Sequence, residues 1–345
     1  DELREDLDIL QELGLNTLLV SHLDPAKDHH EALRLLAEKG FYIVVEIETC
    51  GREGSMKYGK NFPPNEDVGL EEWYTFDAIQ RDFRLVDQLA DYQNVLGFMV
   101  AGDCINRRQV TRFAPVLRAF VRDTKAFLRL RGGRGVPVGI SNPCVMDLRW
   151  PALKYFTAGS QEERVDFFAP QDYSWCGPSS FKISGWENEI ATLERENVCV
   201  PMFLAEFGCN ARRERIWDEI TCLYGKEMLG KYSGGCVYCF EEYGNGYGIV
   251  ERTDEGVKRE SEFETLKQRL QQASSGLATA MSGIEPQEYE SWAGDFPSEP
   301  GNGRWLASSA LPRFPGDLAG FVQELKDERE WDVVDRFEDL RLGDE

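Results

Sequence analysis

Long apolar runs are missing from this chain of 345 residues: none reaches the eighteen or so that a membrane-crossing helix requires. Basic charge is also scarce. Lys and Arg number 39 against 61 Asp and Glu, for a formal net charge of −22, which argues against a nucleic-acid partner because phosphate binding needs a basic face. The run Arg131-Gly-Gly-Arg-Gly135 is the one hint of RNA, and it reads as the polar turn between a helix and the strand Val136–Ile140. Only three histidines exist, and Asp28-His29-His30 sits at a helix start, where such residues cap and solvate, so a zinc site lacks ligands. No Gly-x-Ser-x-Gly elbow and no phosphate-cradling glycine loop occurs, and no cofactor or metal is expected. The nine cysteines show no framework spacing, and an odd total leaves at least one free thiol or an intermolecular bond. Cys236-Val-Tyr-Cys239 has redox-motif spacing, but on a strand those side chains face opposite sides, so they read as two half-buried thiols. Asp1-Glu-Leu-Arg-Glu-Asp6 lacks the basic start and apolar middle of a signal peptide, and the last residues lack the apolar tail of a lipid-anchor signal.

What the chain does have is a regular alternation. Helical spacing over Leu3–Leu13 precedes a strand at Asn16–Val20, a helix at Ala26–Lys39 and a strand at Phe41–Ile47. A long amphipathic helix over Glu71–Ala90 leads to Val95–Ala101, then helix Asn106–Leu130 and strands Val136–Ser141 and Val165–Tyr173. Helix Ser184–Glu196, strand Val200–Ala205, helix Arg212–Leu229, strand Gly235–Phe240 and helix Lys258–Gln272 complete the pattern. Strand–helix units of this length imply parallel pairing and an α/β sheet. A (β/α)8 barrel of the TIM type would need one more strand ahead of the first helix. The expectation is a barrel over residues 1–272 whose first strand is missing, through truncation or a degenerate gene. Residues 273–345 differ in kind: Ser, Gly and Pro are frequent up to Pro315, acids dominate, and Asp317–Leu342 carries apolar residues at helical spacing. That tail reads as an acidic linker with one amphipathic helix that docks on the barrel or a partner.

Two carboxylates close strand-like runs about one hundred residues apart. Asp103 ends Asn94-Val-Leu-Gly-Phe-Met-Val-Ala-Gly-Asp103, and Glu206 ends Val200-Pro-Met-Phe-Leu-Ala-Glu206. In a parallel barrel the active site is built at the C-terminal ends of the strands. Two carboxylates on different strands are the equipment of a glycosidase, one as acid/base and one as nucleophile. The bland alternative is that each caps its strand or pairs with an arginine.

The surrounding sequence favours chemistry. Arg164-Val-Asp-Phe-Phe-Ala-Pro-Gln-Asp-Tyr-Ser-Trp-Cys-Gly177, Phe203-Leu-Ala-Glu-Phe-Gly-Cys-Asn210 and Tyr232-Ser-Gly-Gly-Cys-Val-Tyr238, continuing to Gly244-Asn-Gly-Tyr-Gly248, resemble the β-1,3-glucanosyltransferases of fungal cell walls, glycoside hydrolase family 72. The likeness covers roughly residues 1–272, and residues beyond it match nothing nameable from the sequence alone. The resemblance implies retaining cleavage and transfer of β-1,3-glucan chains, with a neutral polysaccharide or its oligosaccharides as partner and a secreted, cell-wall or cell-surface location. It implies Glu206 as nucleophile, Asp103 as acid/base, and Glu46, Gly102, Tyr173, Trp175, Asn210, Tyr238 and Tyr247 as substrate-binding positions. It also implies a Cys176–Cys209 disulfide.

Departures from the family pattern matter as much. The family has Asn-Glu where this chain has Gly102-Asp103, a carboxyl shorter in reach by roughly 1.5 Å. Leu19 and Ser21 stand for an Arg and a Tyr, Glu46 for an Asp, and Tyr238-Cys239-Phe240 for Tyr-Glu-Tyr. Two expectations therefore stand side by side: a glucanosyltransferase, fully active or weakened, and a non-catalytic glucan-binding or vestigial relative.

Overall fold

The computed structural model describes residues 2–47, 69–100, 104–289 and 304–328. The chain opens on α1 (Glu2–Glu12) and continues through β1 (Thr17–Val20), α2 (His30–Glu38) and β2 (Tyr42–Ile47). Then come the short α3 (Leu70–Trp73), α4 (Phe76–Leu89), β3 (Val95–Val100), a 3-10 turn at Arg108–Phe113 that runs into α5 (Ala114–Arg131), β4 (Val138–Asn142) and α6 (Met146–Thr157). The next stretch holds β5 (Phe168–Asp172), α7 (Trp186–Arg195), β6 (Met202–Phe207), α8 (Asp218–Leu223), α9 (Lys226–Leu229) and β7 (Tyr232–Val237). An antiparallel hairpin, β8 (Val250–Thr253) and β9 (Gly256–Arg259), precedes α10 (Phe263–Met281), and α11 (Leu318–Glu328) ends the described residues.

Seven strands form one sheet in sequence order, β1 to β7, and the pairs β1–β2, β2–β3, β3–β4 and β6–β7 are parallel. Helices between parallel strands are the α/β arrangement of a (β/α) barrel, as the alternation predicts. Among the described residues no helix is long and apolar enough to cross a membrane.

Several elements depart from the sequence reading, each for a local reason. The helix expected over Glu71–Ala90 is broken at Tyr74, whose hydroxyl donates to buried Asp123 at 2.6 Å. Residues 212–217 are not helical: Trp217 takes a left-handed φ of 56°, and the Arg215 amide donates to Glu262 Oε2 at 2.6 Å instead of to a preceding turn. Helix α6 went unread because Pro151 lies inside it, where a proline removes a backbone donor. The charged β8–β9 hairpin has no apolar alternation to announce it.

By packing, the chain divides into two compact units, Asn16–Phe168 with Ser291–Glu345, and Asp1–Leu15 with Ala169–Glu290. In the first unit the helical layer is aromatic: Phe83 stacks on Phe120 and Phe127 at 5.6 and 4.9 Å. The C-terminal segment completes that layer. Phe314 stacks on Phe83 at 6.1 Å, Phe321 of α11 meets Phe76 edge-on at 5.0 Å, and Trp305 sits against Tyr155 and Phe156 of α6. Polar bonds follow the same path: Leu306 N–H donates to Thr111 Oγ1, Tyr155 Oη to the Ser308 carbonyl and Arg122 to the Pro312 carbonyl. Residues 304–316 are thus packed chain, although their composition reads as linker. Enough apolar side chains are interspersed to bury it.

In the second unit, α1 is tied by Asp6–Arg252 and by Glu12 with Arg259 and Lys267. Glu219, in the first turn of α8, is buried at 5 % exposure. Burial pushes its carboxyl up to about 7, with Asp218 adding to the rise and the Glu219 backbone amide, Arg215 and Arg269 opposing it. Folding therefore takes up a proton between pH 4.5 and about 7, so this group's contribution to stability falls as pH rises through that window. Glu219→Gln is expected to match the parent near pH 4.5 and to exceed it by about 3 kcal/mol at pH 8 in urea unfolding. A difference between the two proteins that does not vary with pH would contradict this.

Candidate active site

Strand β5 ends in Pro170-Gln171-Asp172, and the chain stays extended into Tyr173. Residues two apart on extended backbone share a face, so Gln171 and Tyr173 point the same way. They point at β6. Tyr173 Oη donates to Glu206 Oε2 at 2.6 Å, and Gln171 Nε2 donates to Glu206 Oε1 at 3.0 Å. Both oxygens of the Glu206 carboxylate thus accept a hydrogen bond from the neighbouring strand. Burial, then the charge and hydrogen bond of Glu206, push the Tyr173 phenol far above its ordinary range, so it remains a donor. Asp172 shapes the turn that follows, accepting the Ser174 amide at 2.9 Å and the Ser174 hydroxyl at 2.6 Å.

Two more tyrosines close around this pair. Tyr238 follows β7 and Tyr247 lies in the next loop; their rings meet at 5.2 Å, and each stands edge-on to Tyr173, at 6.5 and 5.7 Å. All three are half-buried, so each keeps some ring and hydroxyl surface. Aromatic faces with hydroxyl tips beside a carboxylate suit a ligand that is apolar on its faces and hydroxylated on its rim. Tyr247 is fixed by its loop: Glu242 accepts the Gly246 and Gly248 amides, both at 2.8 Å, and these bonds hold its carboxyl below the usual range. Gly244 and Gly246 take φ of 82° and 74°, which the tight turn requires. Asn210 latches the same loop, donating to the Asn245 and Gly246 carbonyls at 3.1 Å.

The expected disulfide is present. Cys176 and Cys209 are bonded, with Cα atoms 5.1 Å apart. Cys104 is also disulfide-bonded, which the sequence reading did not foresee, while Cys199, Cys222 and Cys239 are free thiols. Burial first, then Glu242, pushes the Cys239 thiol up to about 11, so it stays protonated where the family has an acid.

The structure brings together five of the residues singled out from sequence: Glu206, Tyr173, Tyr238, Tyr247 and Asn210. Trp175 is a correction. Its indole packs on Trp186 at 5.1 Å and is only 6 % exposed, so it is core and not an exposed sugar platform. The Ser, Gly and Pro around it suggest a loop, but the ring turns inward. Glu46 is half-buried on β2, in the other packing unit. Gly102 and Asp103 lie outside the described residues. Sequence reasoning missed Gln171, although its two-residue spacing from Tyr173 was a usable signal. Nothing in the sequence marks Arg215, which donates to the carbonyls of Tyr238 and Tyr247 at 3.0 and 2.7 Å.

Comparison with known proteins bears on the fold and the family. The family described as glucanosyltransferase, glycoside hydrolase family 72, matches residues 1–274. The 1,3-beta-glucanosyltransferase gel1 of Aspergillus fumigatus is 34 % identical over 324 residues, 94 % of this chain and 68 % of that protein. GAS5 of Saccharomyces cerevisiae, also a 1,3-beta-glucanosyltransferase, is 32 % identical over 92 % of this chain and 62 % of its own length. A solved structure of a Gas2 mutant from Saccharomyces cerevisiae, in complex with laminaritetraose and laminaripentaose, superposes with a TM-score of 0.75 at 27 % identity, covering 91 % of this chain and 66 % of that one. The chain therefore spans about two-thirds of the length of these relatives. The likeness to gel1 must run past residue 272, where the sequence alone matched nothing nameable. With this coverage, the chain belongs to the glucanosyltransferase family of glycoside hydrolases.

Proposed function

We propose that the protein is a retaining β-1,3-glucan glucanosyltransferase with Glu206 as nucleophile. The observation that carries this reading is the Glu206 carboxylate, held by Tyr173 and Gln171 inside a wall of three tyrosines. A relative with the same fold binds laminari-oligosaccharides, and rings of that kind fit such a wall. In the retaining sequence, Glu206 attacks the anomeric carbon while a second carboxyl protonates the departing oxygen. A glycosyl-ester forms, and a hydroxyl of a second glucan chain then takes the sugar, with the second carboxylate as base. Asp103, which follows β3, is assigned that second role from its place in the sequence. Gly102, Glu46, Tyr238, Tyr247 and Asn210 are assigned to substrate binding, the last through the Tyr247 loop. Residues 1–272 are the catalytic part, and residues 273–345 an extension. A cell-wall or cell-surface location, reached by secretion, follows from the substrate, and the disulfides suit an oxidising compartment.

Incubation with laminaripentaose tests the proposal: products both longer and shorter than the input are expected, read by chromatography or mass spectrometry. Retaining sites place their carboxyls about 5–5.5 Å apart, and Asp103 is a methylene shorter than the family's Glu. Asp103→Glu with Gly102→Asn is therefore expected to raise the rate, by up to about 100-fold. A second reading, a glucan-binding relative without catalysis, draws on Gly102, Asp103 and the thiol of Cys239. It prevails if neither protein yields products while both bind laminaripentaose and Tyr173→Ala weakens that binding.

A further inference from the structure

We propose that Arg215 is a positioning residue for the tyrosine wall, anchored by Glu262, and that it never touches the glucan. The inference rests on the reading of Tyr238 and Tyr247 as substrate-binding groups. Arg215 is 3 % exposed and Glu262 1 %. All five N–H groups of the guanidinium are used within the protein. One Nη1 hydrogen goes to the Tyr238 carbonyl at 3.0 Å and the other to the Gly208 carbonyl at 3.4 Å. Nη2 reaches the Tyr247 carbonyl at 2.7 Å and Glu262 Oε1 at 3.0 Å, and Nε adds a second bond to that oxygen at 3.1 Å. With no donor left over, the side chain has nothing to offer a sugar hydroxyl.

Its partners are what give the arrangement meaning. Gly208 follows the nucleophile strand by one residue, Tyr238 follows β7 by one, and Tyr247 sits in the loop beyond. One planar cation therefore ties three backbone carbonyls at the ends of three successive segments of the site. A planar fork can do this because its donors diverge at fixed angles; an ammonium cannot. The plane is itself held, with Trp217 stacked 4.2 Å from its centre and Glu262 gripping the Nε/Nη2 edge. Burial opposes the charge on Glu262, but hydrogen bonds from Arg215 and Arg213 outweigh it and hold the carboxyl below its usual range. Glu262 is also the residue before α10, so the anchor is the start of a long helix. The hydrogen bonds on Glu206 come from Tyr173 and Gln171 and not from Arg215, and the clamp reaches the nucleophile strand only through its longest contact, the 3.4 Å bond to the Gly208 carbonyl.

That separation gives the test. In Arg215→Lys the nucleophile keeps its own hydrogen bonds while the Tyr238 and Tyr247 carbonyls lose their common donor. The expected result is a KM for laminaripentaose raised about tenfold or more, with a much smaller change in kcat. Glu262→Gln, a milder change that leaves the fork in place, is expected to move KM in the same direction by less. Both variants are also read by NMR of ring-labelled tyrosine, where the Tyr238 and Tyr247 signals shift most and Tyr173, which meets both rings edge-on, shifts less. A purely structural pair would instead lower the unfolding midpoint, leaving KM and the ring signals of the folded protein unchanged; that outcome overturns the proposal. If the parent neither binds nor transfers laminaripentaose, the substrate reading falls separately, and the ring signals alone decide whether Arg215 positions the tyrosines.

Discussion

Glu206→Gln is expected to abolish transfer, lowering the rate on laminaripentaose by on the order of 10⁴-fold or more. The amide keeps the size of the carboxylate but cannot form a glycosyl-ester. Binding should survive with a modest loss. In the parent both carboxylate oxygens accept, one from Tyr173 and one from Gln171, whereas a glutamine offers one acceptor and one donor. The Tyr173 hydroxyl, which accepts as well as donates, can take the amide N–H while Gln171 keeps its acceptor. Laminaripentaose affinity by calorimetry is expected to change by a few-fold at most, and trapping with a slow-releasing fluoroglucoside should label the parent only. Residual turnover above about one per cent of the parent would assign the nucleophile to another carboxylate.

The second large effect lies away from the tyrosines, in the C-terminal segment. Trp305→Ala is expected to cost about 3–5 kcal/mol in guanidinium unfolding, the range for truncating a buried Trp to a cavity. Trp305 is 6 % exposed and wedged against Tyr155 and Phe156, so little of that cavity can collapse. Its indole nitrogen makes no hydrogen bond, so Trp305→Phe removes no polar partner and should cost under about 1.5 kcal/mol. A cost below about 1 kcal/mol for the alanine variant would mean that the segment merely lies on the surface.

The sequence made the strands legible because each is a short apolar run bounded by turn residues, and all seven strands of the main sheet keep their expected positions within three residues. Strand β7 begins three residues before the expected Gly235, at Tyr232, which pairs with Met202 of β6. Glu206 and Tyr173 were legible for a different reason: each sits at a strand end inside a recognisable motif. What stayed hidden depends on contacts between residues distant in sequence. Arg215 and Glu262 are 47 positions apart and carry no local pattern. Helix α6 was masked by Pro151, and the fate of Trp175 was decided by Trp186, which fills the space beneath it. The docking of residues 304–316 was obscured by their composition, because Trp305 and Phe314 are spaced too far apart to show a period.

The Cys176–Cys209 bond has a consequence for the chemistry beside it. Tyr173 lies three residues before Cys176, and Glu206 lies three residues before Cys209. The sulfur bridge and the phenol–carboxylate bond are thus two rungs between the same pair of segments, set at equal distance along both. With one rung covalent, the two segments cannot slide past one another without stretching the other rung. The alignment of phenol and carboxylate is therefore written into the oxidation of the protein, at the moment the chain is made and sealed, and need not be found again by each substrate.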